Sequence, residues 1–108
     1  MAASGMRYAY IHRRPDGTPF YVGKGSLRRA RYLGDRNPWH GRIVEKHGRK
    51  SIAVTLIACA SEQIAFAVEI ALIRAYRQSG VQLCNYTDGG EGTLNPTPES
   101  RARISAAA

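Results

Sequence analysis

The chain has 108 residues, room for one compact domain with one modest core. Sixteen Lys and Arg against eight Asp and Glu leave a net charge of +8, and 44% of the residues are hydrophobic, which excludes a chain disordered throughout. No apolar run nears the roughly 18 residues of a membrane span, and Met1–Gly5 lacks a charged-then-apolar leader, so a cytoplasmic protein with no membrane partner is expected. Cys59 and Cys84 lie in apolar surroundings without C-x-x-C spacing. Neither a zinc knuckle nor a disulfide framework is expected from them, and both read as small core residues.

In chain order, residues 6–13 alternate in type and predict a strand, Pro15-Asp16-Gly17 a turn, and Phe20–Gly23 a second strand. The period of two puts Tyr8, Tyr10 and His12 on one face and Ala9 and Ile11 on the other, with Tyr21 and Gly23 opposite Phe20 and Val22. An even loop brings the apolar pairs together on the core side and leaves Tyr10 and Tyr21 as neighbours on the outer face; a bulge at Gly17 would break that parity. A short basic helix is predicted from Ser26 to Leu33, ended by Gly34. Asn37-Pro38 is an N-cap followed by proline at the first helical position, opening a helix that stops at Gly48. Residues 52–60 are apolar almost throughout and predict a buried strand. Ser61 caps a helix running to about Ser79, with Gly80 just beyond it. The expected fold is α/β: a small three-stranded antiparallel sheet flanked by helices, in the order β-β-α-α-β-α over residues 1–93, with a polar tail over 94–108.

Charge is distributed unevenly. Residues 1–50 hold 12 Lys and Arg against 3 Asp and Glu, whereas residues 51–108 hold 4 against 5. A cationic half favours a polyanionic partner, of which nucleic acid is the commonest. The last helix reads Ile-Ala-Phe-Ala-Val-Glu-Ile-Ala-Leu-Ile over residues 64–73, apolar on every side, and is expected at the centre of the fold. The single charge within residues 64–73 is Glu69. Burying an unpaired carboxylate costs several kcal/mol, so an arginine, a metal ion or a cation arriving with substrate is expected beside it.

The spacing of these residues carries a resemblance. Tyr8-Ala9-Tyr10, then Tyr21-Val22-Gly23 eleven residues after Tyr10, with Lys24 next, arginines eight and ten positions past Tyr21 (Arg29 and Arg31), Glu69 in a helix and Asn85 in Leu-Cys-Asn-Tyr, resemble the signature of the GIY-YIG nucleases. Tyr8 and Ala9 depart from the first triplet's Gly and Ile, and Tyr10 keeps its tyrosine. A histidine often found past the arginine is absent; Asp35 lies near its place, and His40 is its candidate substitute. The Gly89-Gly90-Glu91-Gly92 stretch and Pro98-Glu99-Ser100-Arg101 resemble a junction to a modular DNA-binding repeat, here cut short at Ala108.

The resemblance implies hydrolysis of a DNA phosphodiester with one divalent cation, Mg2+ or Mn2+, bound by Glu69. A hard cation that keeps most of its waters needs only one carboxylate, and the isolated acids of the basic half do not suit a two-metal site. Arg29 or Arg31, with Arg29 favoured, would clamp the phosphate. Tyr10 or Tyr21 would activate water, its phenol lowered by Lys24 and the arginines. Asn85 would brace the site, and His40 would contact phosphate. Each has a plainer reading: an aromatic cross-strand pair for the tyrosines, a loop end for His40, a turn for Asn85 and a helix-end charge for His47. Two other functions compete with the endonuclease. One is a non-catalytic nucleic-acid-binding module on the same fold, which has no use for Glu69; the other is a small ribonucleoprotein component.

Overall fold

The computed structural model describes residues 6–34 and 36–85; Asp35, the glycine-rich stretch and the 94–108 tail lie outside the described residues. The chain forms β1 (Arg7–Arg13), β2 (Pro19–Gly25), α1 (Leu27–Arg31), α2 (Pro38–His47), a 3-10 turn (Arg49–Ser51), β3 (Ala53–Cys59) and α3 (Glu62–Gln78). The three strands make one antiparallel sheet in the order β2-β1-β3, with β1 in the middle.

Local chemistry sets most of these boundaries. At the hairpin tip Gly17 takes φ 91°, and Asp16 Oδ1 accepts from the Thr18 N–H at 2.9 Å. Three side-chain oxygens cap the helices: Ser26 accepts from the Arg29 N–H, Asn37 from the His40 N–H and Ser61 from the Ile64 N–H. Gly48 ends α2 with φ 84°.

Helices cover both faces of the sheet. On one face α3 packs Ala65 against Ala9 and Cys59, and Ile73 against Ile11, Val22 and Leu83. On the other, Phe20 meets Ile43 and Val44 of α2 together with Ile52 and Cys84. The face expected to lie outermost is therefore closed, and Tyr10 is 1% exposed and His12 0%.

Three further expectations change. The register break comes not at Gly17 but in β2: Tyr21 pairs with His12 and Pro19 with Arg13, which leaves Phe20 as the extra residue. Such a bulge re-aims its side chain, and Phe20 joins the α2 core instead of lying beside Val22. Residues 53–59 form an edge strand, partly buried along most of its length, because the hairpin takes the central place with β1. The last helix is not central either. Its buried residues are Ala65, Glu69 and Ile73, one stripe at i, i+4, i+8, while Ile64 is 47% exposed.

After α3 the chain returns along the open edge of β2. The Cys84 N–H donates to the Phe20 carbonyl at 2.7 Å. Asn85, 4% exposed, takes both backbone groups of Val22: its Oδ1 accepts from the N–H at 3.0 Å and its Nδ2 donates to the carbonyl at 2.7 Å. An amide has the donor and acceptor of a peptide unit, so this side chain stands in for a neighbouring strand and covers an edge that would otherwise hold unpaired groups.

Candidate functional site

The site is built around the opposition of Tyr10 to Gly23 and of His12 to Tyr21 in the β1–β2 ladder. A Cβ at position 23 would overlap the ring and hydroxyl of Tyr10, so glycine lets that ring lie flat across β2. There the Tyr10 hydroxyl accepts a hydrogen bond from Arg36 Nη1 at 2.6 Å. The Arg36 guanidinium carbon lies 5.2 Å from the centre of the Tyr10 ring and 5.3 Å from that of Tyr21, within cation–π range of both. Its Nε and Nη2 donate to the Tyr32 carbonyl at 3.2 and 2.9 Å, and Nη2 also to the Arg29 carbonyl. One side chain thus ties the tyrosine pair to the end of α1.

Glu69, 5% exposed, lies on the buried stripe of α3, and its charge acts on Tyr10 through space. Burial pushes the Tyr10 phenol above its ordinary value; Arg36, by charge and hydrogen bond, and Arg29 oppose the rise, and Glu69 adds to it. The lowered tyrosine expected from a cationic neighbourhood is not found at Tyr10, because desolvation outweighs two arginines. Lys24 is paired elsewhere. It pairs with Ala9 and so points to the α3 face, where its ammonium lies 2.5 Å from Glu62 Oε2 and 5.9 Å from the Phe66 ring centre. Both candidate clamps, Arg29 and Arg31, are exposed on α1, and the charge of Arg29 acts on Tyr10.

His40 is fully buried at the start of α2, and its expected contact with a phosphate is replaced by one with a second histidine. His12 Nε2 lies 2.7 Å from the Ala30 carbonyl, which only accepts, so that nitrogen carries the proton. His12 Nδ1 is then an acceptor and receives the Nε2–H of His40 at 2.9 Å. His40 Nδ1 is left as a buried acceptor without a hydrogen-bond partner among the described residues. Burial above all holds both rings neutral, lowering His12 to about 4 and His40 to about 3. This pair joins the central strand to α1 and α2, and Tyr21 packs on both rings, 5.5 Å from His12 and 4.9 Å from His40 between centroids.

Asn85 adjoins the site through Val22, the residue after Tyr21, and its own carbonyl accepts from Arg77 Nη2 at 2.6 Å. Asn37 holds the preceding carbonyl, that of Cys84, at 3.0 Å. The two helices on this side carry exposed cations: Arg28, Arg29 and Arg31 on α1 and Arg42 and Lys46 on α2.

Tyr10 and Tyr21 thus share the Arg36 guanidinium, and the charges of Arg29 and Glu69 act on Tyr10, while Lys24 is paired with Glu62 and His40 is buried against His12. Sequence reasoning missed Arg36 and the use of His12. An arginine in a polar connection looks like any solvated charge, and the one available signal is its fixed place between Gly34 and the Asn37 cap. No family model, no curated protein and no solved structure matches the chain.

Proposed function

We propose that this chain is a DNA endonuclease of the GIY-YIG kind, hydrolysing phosphodiesters with one divalent cation. The observation that carries the reading is the hydrogen bond from Arg36 to the hydroxyl of buried Tyr10, on which the charges of Arg29 on α1 and of Glu69 in α3's buried stripe also act. Tyr10 is the base. Its phenolate would take a proton from the attacking water as the water oxygen bonds to phosphorus and the P–O3′ bond breaks. Arg29, exposed on α1, would hold the phosphate as its negative charge grows. Among the described residues no group of three His, Cys, Asp or Glu side chains is spaced to hold a metal ion. Mg2+ and Mn2+ fit nonetheless, since a carboxylate such as Glu69 supplies the oxygen donor that a largely hydrated cation needs. When bound, such an ion supplies charge stabilisation at the phosphate and the leaving oxygen. The cationic faces of α1 and α2 would track the backbone.

The raised Tyr10 phenol favours a second reading, a nucleic-acid-binding module, since a neutral hydroxyl donates to phosphate without chemistry. Supercoiled plasmid incubated with Mg2+, Mn2+ or chelator separates the two. The nuclease nicks with either metal and not with chelator, and Glu69→Gln abolishes nicking while DNA binding stays within a few-fold of the parent. Nicking by Glu69→Gln at the parental rate refutes the role of Glu69. Binding without nicking under all conditions leaves the module.

A further inference from the structure

Arg36 makes contacts that neither arginine of the expected clamp makes. Its guanidinium donates to the Tyr10 hydroxyl at 2.6 Å, lies over the rings of Tyr10 and Tyr21, and donates to the carbonyls of Arg29 and Tyr32 at the end of α1. A planar fork with five N–H groups serves these partners at once, which an ammonium on a flexible stem does not. The carbonyls at a helix end need such donors, so the charge is held in place by the backbone and not by the tyrosine alone. We propose that Arg36 is the positioning residue of the tyrosine pair: it fixes the Tyr10 hydroxyl above Gly23, docks α1 against it, and supplies the cation that faces the phenolate once its proton has left.

This rests on the endonuclease reading only for the use made of the phenolate; the coupling between Arg36 and Tyr10 belongs to the free protein. Arg36, from the connection before α2, is the charged group bonded to the Tyr10 hydroxyl, and the charges of Arg29 on α1 and Glu69 on α3 act on it through space; beside it lie the neutral ring of His12, stacked on Tyr10 at 5.2 Å, and Gly23 of β2. Arg36 is the strongest of the influences that favour the ionised form, ahead of Arg29. In its absence burial and Glu69 act against ionisation with only Arg29 opposing them.

The test places 3-fluorotyrosine at position 10 alone, which brings the phenol's titration nearer neutrality, and follows the single fluorine resonance with pH in the full chain without DNA or metal. Arg36→Gln should move that titration to higher pH, and Arg36→Lys, which keeps the charge, should move it less. The parent itself gives an independent reading: the Arg36 Nη resonances should follow the same titration as the fluorine. In plasmid cleavage Arg36→Gln should lose on the order of 10²-fold near neutral pH, the scale of general-base assistance, and recover part of the loss as the pH rises. A folded Arg36→Gln protein that titrates with the parent overturns the proposal, and so do Nη resonances indifferent to the fluorine's titration. A loss of cleavage that pH does not relieve also overturns it. A parent that never cleaves plasmid refutes the endonuclease reading and leaves the titrations to decide the role of Arg36.

Discussion

Acid should unfold this domain through His12 and His40 before its carboxylates are protonated. In the folded chain the two rings titrate at about 4 and about 3, against 6.5 when exposed to solvent. Each folded value is depressed, so between those limits the unfolded chain binds more protons and stability falls as the pH falls. From pH 7.5 to pH 5 the native rings stay largely neutral while the unfolded ones become charged. The loss is then about 2 kcal/mol per histidine and about 4 kcal/mol for both, set almost wholly by the unfolded value. Against a total of about 5–15 kcal/mol for an ordinary domain, that is a large share. The hydrogen-bond chain explains why the native state resists protonation: a proton on His40 Nδ1 enters a buried position with no acceptor among the described residues, and one on His12 must face the His40 N–H unless that ring changes tautomer. Asp16, lowered by its hydrogen bonds from Thr18, and Glu62, lowered by Lys24, lose their contributions only as the pH falls through and below the ordinary carboxylate range. Urea unfolding measured at half-unit steps from pH 7.5 to 5 should show stability falling towards a slope of two protons taken up per unfolding event. A total change below about 1 kcal/mol over that window would refute the buried neutral pair.

Gly23→Ala should cost about 1–3 kcal/mol, because the added methyl overlaps the Tyr10 ring and hydroxyl and something must shift; a denaturation midpoint equal to the parent's would show that the ring does not lie there. Asn85→Ala should lose about 2–4 kcal/mol by leaving the Val22 N–H and carbonyl unpaired. Asn85→Asp should be no better, since a carboxylate accepts from the N–H but faces the carbonyl with like charge; urea unfolding that shows Asn85→Asp as stable as the parent contradicts the pairing. The Cys84 thiol, pushed up to about 12 by burial, should react with an alkylating reagent only through unfolding. Its labelling rate, followed by mass spectrometry, should therefore rise with urea in step with the unfolded fraction, and fast labelling of the native protein would contradict it.

Much of the fold was legible because its signals are local. Turn, cap and stop residues act within three or four positions, so Gly17, Ser26, Asn37, Gly48, Ser61 and Gly80 marked where elements begin and end before any tertiary contact was considered. Alternation along β1 likewise put Tyr10 and His12 on one face, and the lone charge of the apolar stretch 64–73 marked Glu69, which proved to lie on the buried stripe.

What tertiary structure alone decided is where those elements lie relative to one another. An apolar run such as 52–60 looks the same at the edge of a sheet as at its centre, and only the order β2-β1-β3 assigns it to the edge. Because α1 and α2 fold over the tyrosine face, Tyr10 lies in a desolvated pocket, and burial raises a phenol that a count of nearby cations would lower. His40 is drawn from a helix start into the core by His12, 28 positions earlier. Arg36 gains its partners from three separate segments, and a side chain so long has no fixed direction until packing provides one. Local sequence encodes backbone conformation, because that is settled by neighbours in the chain. Burial and charge depend on neighbours in space, and for this protein they decide which of the expected residues meet.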